Sequence, residues 1–287
     1  MAEAPAPRPL LPKARRPRPF FPEPGGLALF LNAGDPPLDR FDELALMLDQ
    51  EGVDCLELAV PFPDSVTDGP VIRRSADRAL ALGTGLDEVL AAIARVRPYL
   101  SRLRIALLAD WSHTLKHRDP AATAADIAAA GADGLLVHAL PPRLRAAHLA
   151  TARAAGLPVV TTCYAQSPPA TRAGAAAEAT AYLYLVAHYG RSGTAPAAGH
   201  AALAGAVAEL RAHTTSPIAV GFGVRTREDA QAVHGTGADA VIVGSAAVAR
   251  IESALHTGRD PVAELRAFVR SVQPARLTTP HTPRSRP

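Results

Sequence analysis

The chain has 287 residues, 48% of them hydrophobic and 20% charged, with a formal net charge of +3 at pH 7. That apolar content suffices for a buried core and excludes global disorder, while apolar runs such as residues 27–31 and 240–243 are far below the roughly 20 residues that span a bilayer. The positive charge is concentrated at the two ends, in Lys13, Arg15, Arg16 and Arg18 and in Arg276, Arg284 and Arg286, with no basic stripe interleaved with aromatics between them, which argues against nucleic acid as a partner.

Residues 1–25 carry Pro5, Pro7, Pro9, Pro12, Pro17, Pro19, Pro22 and Pro24. Proline at that density forms neither a helix nor a central strand, so this stretch reads as a flexible Pro/Arg-rich tail, with no uninterrupted apolar segment of a signal peptide. Residues 273–287 read the same way, and residues 26–272 read as one domain. The two cysteines, Cys55 and Cys163, lie in apolar strand-like runs and read as reduced thiols of a cytoplasmic protein.

The body alternates short apolar runs with longer, alanine-rich amphipathic ones. Strands are expected over Leu27–Asn32, Cys55–Val60, Arg104–Ala109, Gly134–His138, Pro158–Tyr164, Tyr182–Ala187, Pro217–Val220 and Ala240–Val243. Helical patterns follow each, over Leu38–Glu51, Val71–Leu82 and Leu86–Val96, Ala121–Ala130, Arg143–Ala155, Thr171–Ala179, His200–His213, Arg227–His234, and Ser245–His256 with Val262–Val272. Gly52, Gly131, Gly156 and Gly237 stand where a helix closes and a strand opens, the place for a left-handed C-cap. Eight such units predict an α/β fold, a (β/α)8 TIM barrel, with its active site at the C-terminal ends of the strands.

Glu57 is a carboxylate inside a strand otherwise built from leucine, alanine and valine. There it is costly unless paired or used. The following loop, stiffened by Pro61, Pro63 and Pro70, carries Asp64 and Asp68, and two nearby carboxyl groups can divide acid and base work. At the other end of the chain, Gly193, Gly223 and Gly244-Ser245 follow strands six, seven and eight, where barrels bind phosphate with backbone N–H groups and a helix N-terminus. Phe30, Ile72, Leu108 and Phe222 are the apolar residues expected to line the substrate pocket. The histidines show no metal-ligand spacing; His113 and His117 are four apart without an obvious third ligand and read as surface residues.

The stretch from Leu56 to Ile72, Leu-Glu-Leu-Ala-Val-Pro-Phe-Pro-Asp-Ser-Val-Thr-Asp-Gly-Pro-Val-Ile, resembles the signature of the tryptophan synthase alpha subunit family. Asn32-Ala33-Gly34-Asp35-Pro36, Tyr182-Leu183-Tyr184-Leu185, Gly221-Phe222-Gly223 and Gly244-Ser245 resemble further motifs of that family, in the same order, over about residues 26–272. The resemblance implies a carbon–carbon lyase that cleaves indole-3-glycerol phosphate, a small phosphorylated substrate, to indole and glyceraldehyde 3-phosphate by a retro-aldol reaction, with neither a metal nor an organic cofactor. Glu57 matches the family's acid/base, Asp68 the acid at the indole N–H, and Tyr184 the tyrosine near them. A pyridoxal-phosphate-dependent beta-type subunit is the partner it implies.

The chain departs from the family pattern at Ala109-Asp110-Trp111-Ser112 after strand three, at His138-Ala139 after strand four, and at His188 and Ser192 after strand six. These elements carry the communication with the beta subunit in the family, so the sequence leans towards independence from a standard beta subunit or dependence on a dedicated paralogue. Two other readings stay open: a barrel enzyme with a different phosphorylated substrate, and a non-catalytic subunit that activates a beta-type partner.

Overall fold

Eight short apolar strands form the frame of the molecule: β1 (Gly26–Asn32), β2 (Cys55–Ala59), β3 (Arg104–Asp110), β4 (Gly134–His138), β5 (Val160–Tyr164), β6 (Tyr182–Val186), β7 (Ile218–Gly221) and β8 (Ala240–Val243). The structure is a computed structural model and describes residues 19–187, 200–221 and 223–273. The strands pair in parallel in the order β4-β3-β2-β1-β8-β7-β6-β5, and a bridge between Leu135 and Val159 brings β4 against β5 to close the ring.

The connecting helices are α1 (Phe41–Gln50), α2 (Pro70–Ala81), α3 (Leu86–Val96), α4 (Pro120–Ala130), α5 (Arg145–Ala154), α6 (Pro169–Glu178), α7 (His200–Arg211), α8 (Arg227–His234), α9 (Ser245–His256) and α10 (Pro261–Val272). At the expected joints, Gly52, Gly131, Gly156 and Gly237 all take positive φ.

Three segments differ from the expected helices. Leu38–Glu51 and Arg143–Ala155 each begin as a separate 3-10 turn, Leu38–Arg40 and Pro142–Leu144. The first follows directly on Pro36-Pro37 and the second starts at the second residue of Pro141-Pro142, and both open on an i→i+3 bond, from Arg40 N to the Pro37 carbonyl and from Leu144 N to the Pro141 carbonyl. A π-helical turn at Trp111–Leu115, not anticipated, leads out of β3 under an Asp110 side-chain cap.

Strand parity sorts the side chains. Leu27, Leu29, Leu56, Leu58, Ile105 and Leu107 face outward into the layer of helices, whereas Ala28, Cys55, Ala106, Leu136, Val160, Tyr182, Ala219 and Ala240 cluster inside the barrel. Most of that inner set is small, and Phe20 and Phe21 fill the space it leaves, with ring centroids 5.1 and 5.4 Å from that of Tyr182. The flexible tail expected through residue 25 is therefore corrected at its end. Prolines bracket this phenylalanine pair, but burial of two aromatic rings outweighs the absence of regular structure. A side chain at Gly26 would stand 2.7 Å from the Phe21 ring, so the plug requires glycine there.

Outside the barrel, Arg78 bridges Asp35 and Glu252, and Arg74 joins it on Glu252, fastening α2 to α9. The Arg74 bond, with Arg78, pulls the Glu252 carboxyl down to about 2. No helix among the described residues is long and apolar enough to cross a membrane.

Candidate active site

The C-terminal ends of the strands surround a cavity of about 830 Å³. Its wall includes the expected pocket residues Phe30, Ile72 and Leu108, the acid Asp68, Tyr184, and Gly223, Gly244 and Ser245. Gly193 and Phe222 lie outside the described residues.

Glu57 is fully buried on the inward face of β2, beside Phe30 of β1 and Ala106 of β3 in the strand register. It sits below the cavity wall rather than in it. Tyr182, two residues before Tyr184 on the same face of β6, donates a 2.6 Å hydrogen bond to Glu57 Oε1, and Oε2 has no hydrogen-bond partner among the described residues. Burial pushes the Glu57 carboxyl up to about 7, with the Tyr182 bond opposing. A carboxyl poised there holds or releases a proton near neutral pH, as general acid/base work requires.

The same burial makes a stability prediction. In the unfolded chain a glutamate titrates near pH 4.3. Between that value and about 7 the folded protein keeps a proton that the unfolded chain has lost, so stability falls as pH rises through this window. Urea unfolding of the wild type is expected to weaken by about 2–3 kcal/mol, relative to Glu57→Gln, between pH 5 and pH 8. Parallel pH dependences for the two proteins would show that the carboxyl is not perturbed.

Asp68 reaches the cavity from the loop between β2 and α2, where Ser65 Oγ donates to its Oδ2 at 2.7 Å. Tyr184 lies near both acids. Burial first, then the carboxyl groups of Glu57 and Asp68, push its hydroxyl far above the ordinary tyrosine range, so it stays a neutral donor. Gly221 makes room for it, since a Cβ there would lie 2.6 Å from the Tyr184 hydroxyl. The structure thus turns Glu57 of β2 and Tyr184 of β6, four strands away, into one barrel interior with Asp68 of the loop above, Glu57 lying one layer deeper than the other two.

Across the mouth, α9 begins at Ser245 with no capping side chain and no acid in its first turn. The backbone N–H groups of that turn and the helix dipole favour an anion, and Gly223 and Gly244 keep the approach clear of side chains. Arg225 and Arg250 line the same end of the cavity. Arg250 reaches it from the second turn of α9, a position no local motif marks.

A second group of polar residues stands on the wall formed by β3 and β4. Asp110 and His138 are register partners one inward step above Leu108 and Leu136. The buried Asp110 carboxylate accepts from His138 Nδ1 at 3.0 Å through Oδ2, and from the ring Nδ1 and backbone N of His113 at 2.8 and 2.9 Å through Oδ1. Burial opposes ionisation of Asp110, but these bonds outweigh it and hold the carboxyl below its ordinary range. His113 is exposed, as expected, and its ring is held in place. Its partner is Asp110, three residues earlier. The available signal was parity, because charged residues end two adjacent strands on the face that Leu108 and Leu136 had already marked as inward.

A family model described as tryptophan synthase alpha chain matches residues 23–276. A tryptophan synthase alpha chain of Gloeobacter violaceus is 38% identical over 251 residues, 88% of this chain and 89% of that relative, and one of Burkholderia multivorans is 37% identical over 253 residues, 87% and 90%. Among solved structures, tryptophan synthase subunit alpha of Legionella pneumophila superposes with a TM-score of 0.77 at 29% identity, covering 87% of this chain and 91% of that one. The tryptophan synthase alpha subunit of Pyrococcus furiosus gives 0.77 at 28% identity, over 87% and 98%.

Proposed function

We propose that this chain, which belongs to the tryptophan synthase alpha chain family, cleaves indole-3-glycerol phosphate to indole and glyceraldehyde 3-phosphate. The observation that carries the reading is one cavity that lies above a buried carboxyl near neutrality and is lined by a second carboxylate and by a helix N-terminus for phosphate.

The chemistry needs both ends. Phosphate held at Gly223, Gly244 and Ser245 fixes the substrate's length against the acids. Glu57 turns from Tyr182 towards the cavity and gives its proton to C3 of the indole, forming a cationic indolenine. Asp68, at the ring N–H, stabilises that positive charge electrostatically. The bond from C3 to the hydroxyl-bearing carbon of the glycerol chain then breaks. Its electrons restore the indole ring, the hydroxyl proton returns to the Glu57 carboxylate, and the carbon leaves as the aldehyde. Tyr184 covers the cavity wall on β6 that faces the acids and keeps water from the cation.

The test is product analysis with a competitor. Indole and glyceraldehyde 3-phosphate are expected in equal amounts from indole-3-glycerol phosphate, and glycerol phosphate is expected to compete with the substrate. Absence of competition at millimolar concentrations contradicts the phosphate assignment.

A further inference from the structure

The loop of residues 60–69 carries Asp68, and two of its other side chains touch the polar group on β3 and β4. Phe62 stacks on both imidazoles, on His113 at 5.5 Å and 23° and on His138 at 5.7 Å and 26°. Further along the loop, Thr67 Oγ1 lies 3.4 Å from His138 Nε2. Asp110 fixes both rings, because each of its carboxylate oxygens accepts from one Nδ1. With Nδ1 donating to Asp110, His138 Nε2 is the ring atom left to share a hydrogen bond with Thr67 Oγ1. Thr67 stands beside Asp68 in the chain, and Ser65, which donates to Asp68, lies 3.4 Å from Thr67.

We propose that Asp110, His113 and His138 are positioning residues that clamp the 60–69 loop from within the chain, holding Asp68 over the cavity. Asp110 is nearly inaccessible and belongs to the rigid strand frame. It transmits that rigidity through two imidazoles to the loop at Phe62 and Thr67, on either side of the loop's exposed stretch. The order of Asp68 is then a property of the free chain. This rests on the lyase reading only in giving Asp68 its task; the clamp itself is a statement about the loop.

The test is a double-mutant cycle of Thr67→Val and His138→Ala, read by indole formation without a partner and by hydrogen exchange of residues 64–69. Each single substitution is expected to lower kcat about two- to tenfold, the range of one net hydrogen bond, with KM for the phosphorylated substrate changed less. The double variant is expected to lose no more than the worse single one, since both remove the same contact. Exchange in residues 64–69 rises in all three variants while the strands keep their protection. Thr67→Val preserves the side-chain shape and guards against a result caused by misfolding of the His138 variant. Losses that multiply, or loop exchange unchanged from wild type, overturn the clamp. If the wild type releases no indole, the lyase reading fails, and the exchange measurement still decides the clamp.

Discussion

Replacement of Glu57 by glutamine is expected to lower the rate of indole formation by roughly 10²–10⁴-fold, the usual contribution of a positioned acid/base. Glutamine keeps the volume of the side chain and still accepts from the Tyr182 hydroxyl, so the barrel interior is preserved. It has no proton to give to C3 and cannot take one from the substrate hydroxyl. Glu57 lies below the cavity wall and the phosphate is gripped at the far rim, so KM is expected to change little. A variant that retained more than about a tenth of the wild-type rate would exclude Glu57 as the acid/base.

Asp68→Asn separates charge from shape at the second acid. Asparagine still accepts a hydrogen bond from a ring N–H and can still accept from Ser65. It lacks the negative charge that offsets the indolenine cation, and that charge matters in the transition state more than in the ground state. The expected result is a loss in kcat of roughly 10²–10³-fold, comparable to the removal of one preorganised electrostatic group, with KM nearly unchanged. A loss confined to KM would show that Asp68 only binds.

Much of this site was legible in the chain because its signals are local. A glutamate in an apolar strand, two acids in a proline-stiffened loop, and glycines after the last strands can each be read within a few residues. What remained hidden depends on closure of the barrel. Tyr182, the partner of Glu57, is 125 residues away in sequence and meets it only because the inward faces of β2 and β6 share one interior. Phe20 and Phe21 sat in a segment whose proline content dominated its reading, and the cavity they plug exists only once eight small-residue strands surround it. The contacts of His113 were hidden because its partners, Asp110 and Phe62, come from a strand end and from the loop of the neighbouring β2 unit. The folding units were visible through periodicity and glycine caps, while the contacts between units come from register and parity around the ring.

The central claim is that this chain alone assembles a working lyase site, and the most direct test is the steady-state rate of indole release by the purified chain, measured without and then with a conventional beta subunit. The account predicts turnover of indole-3-glycerol phosphate by the chain by itself, with less than threefold activation on adding the beta subunit, under about 0.7 kcal/mol off the barrel-bound barrier. No indole from the free chain, or activation on the order of tenfold, about 1.4 kcal/mol, would contradict it.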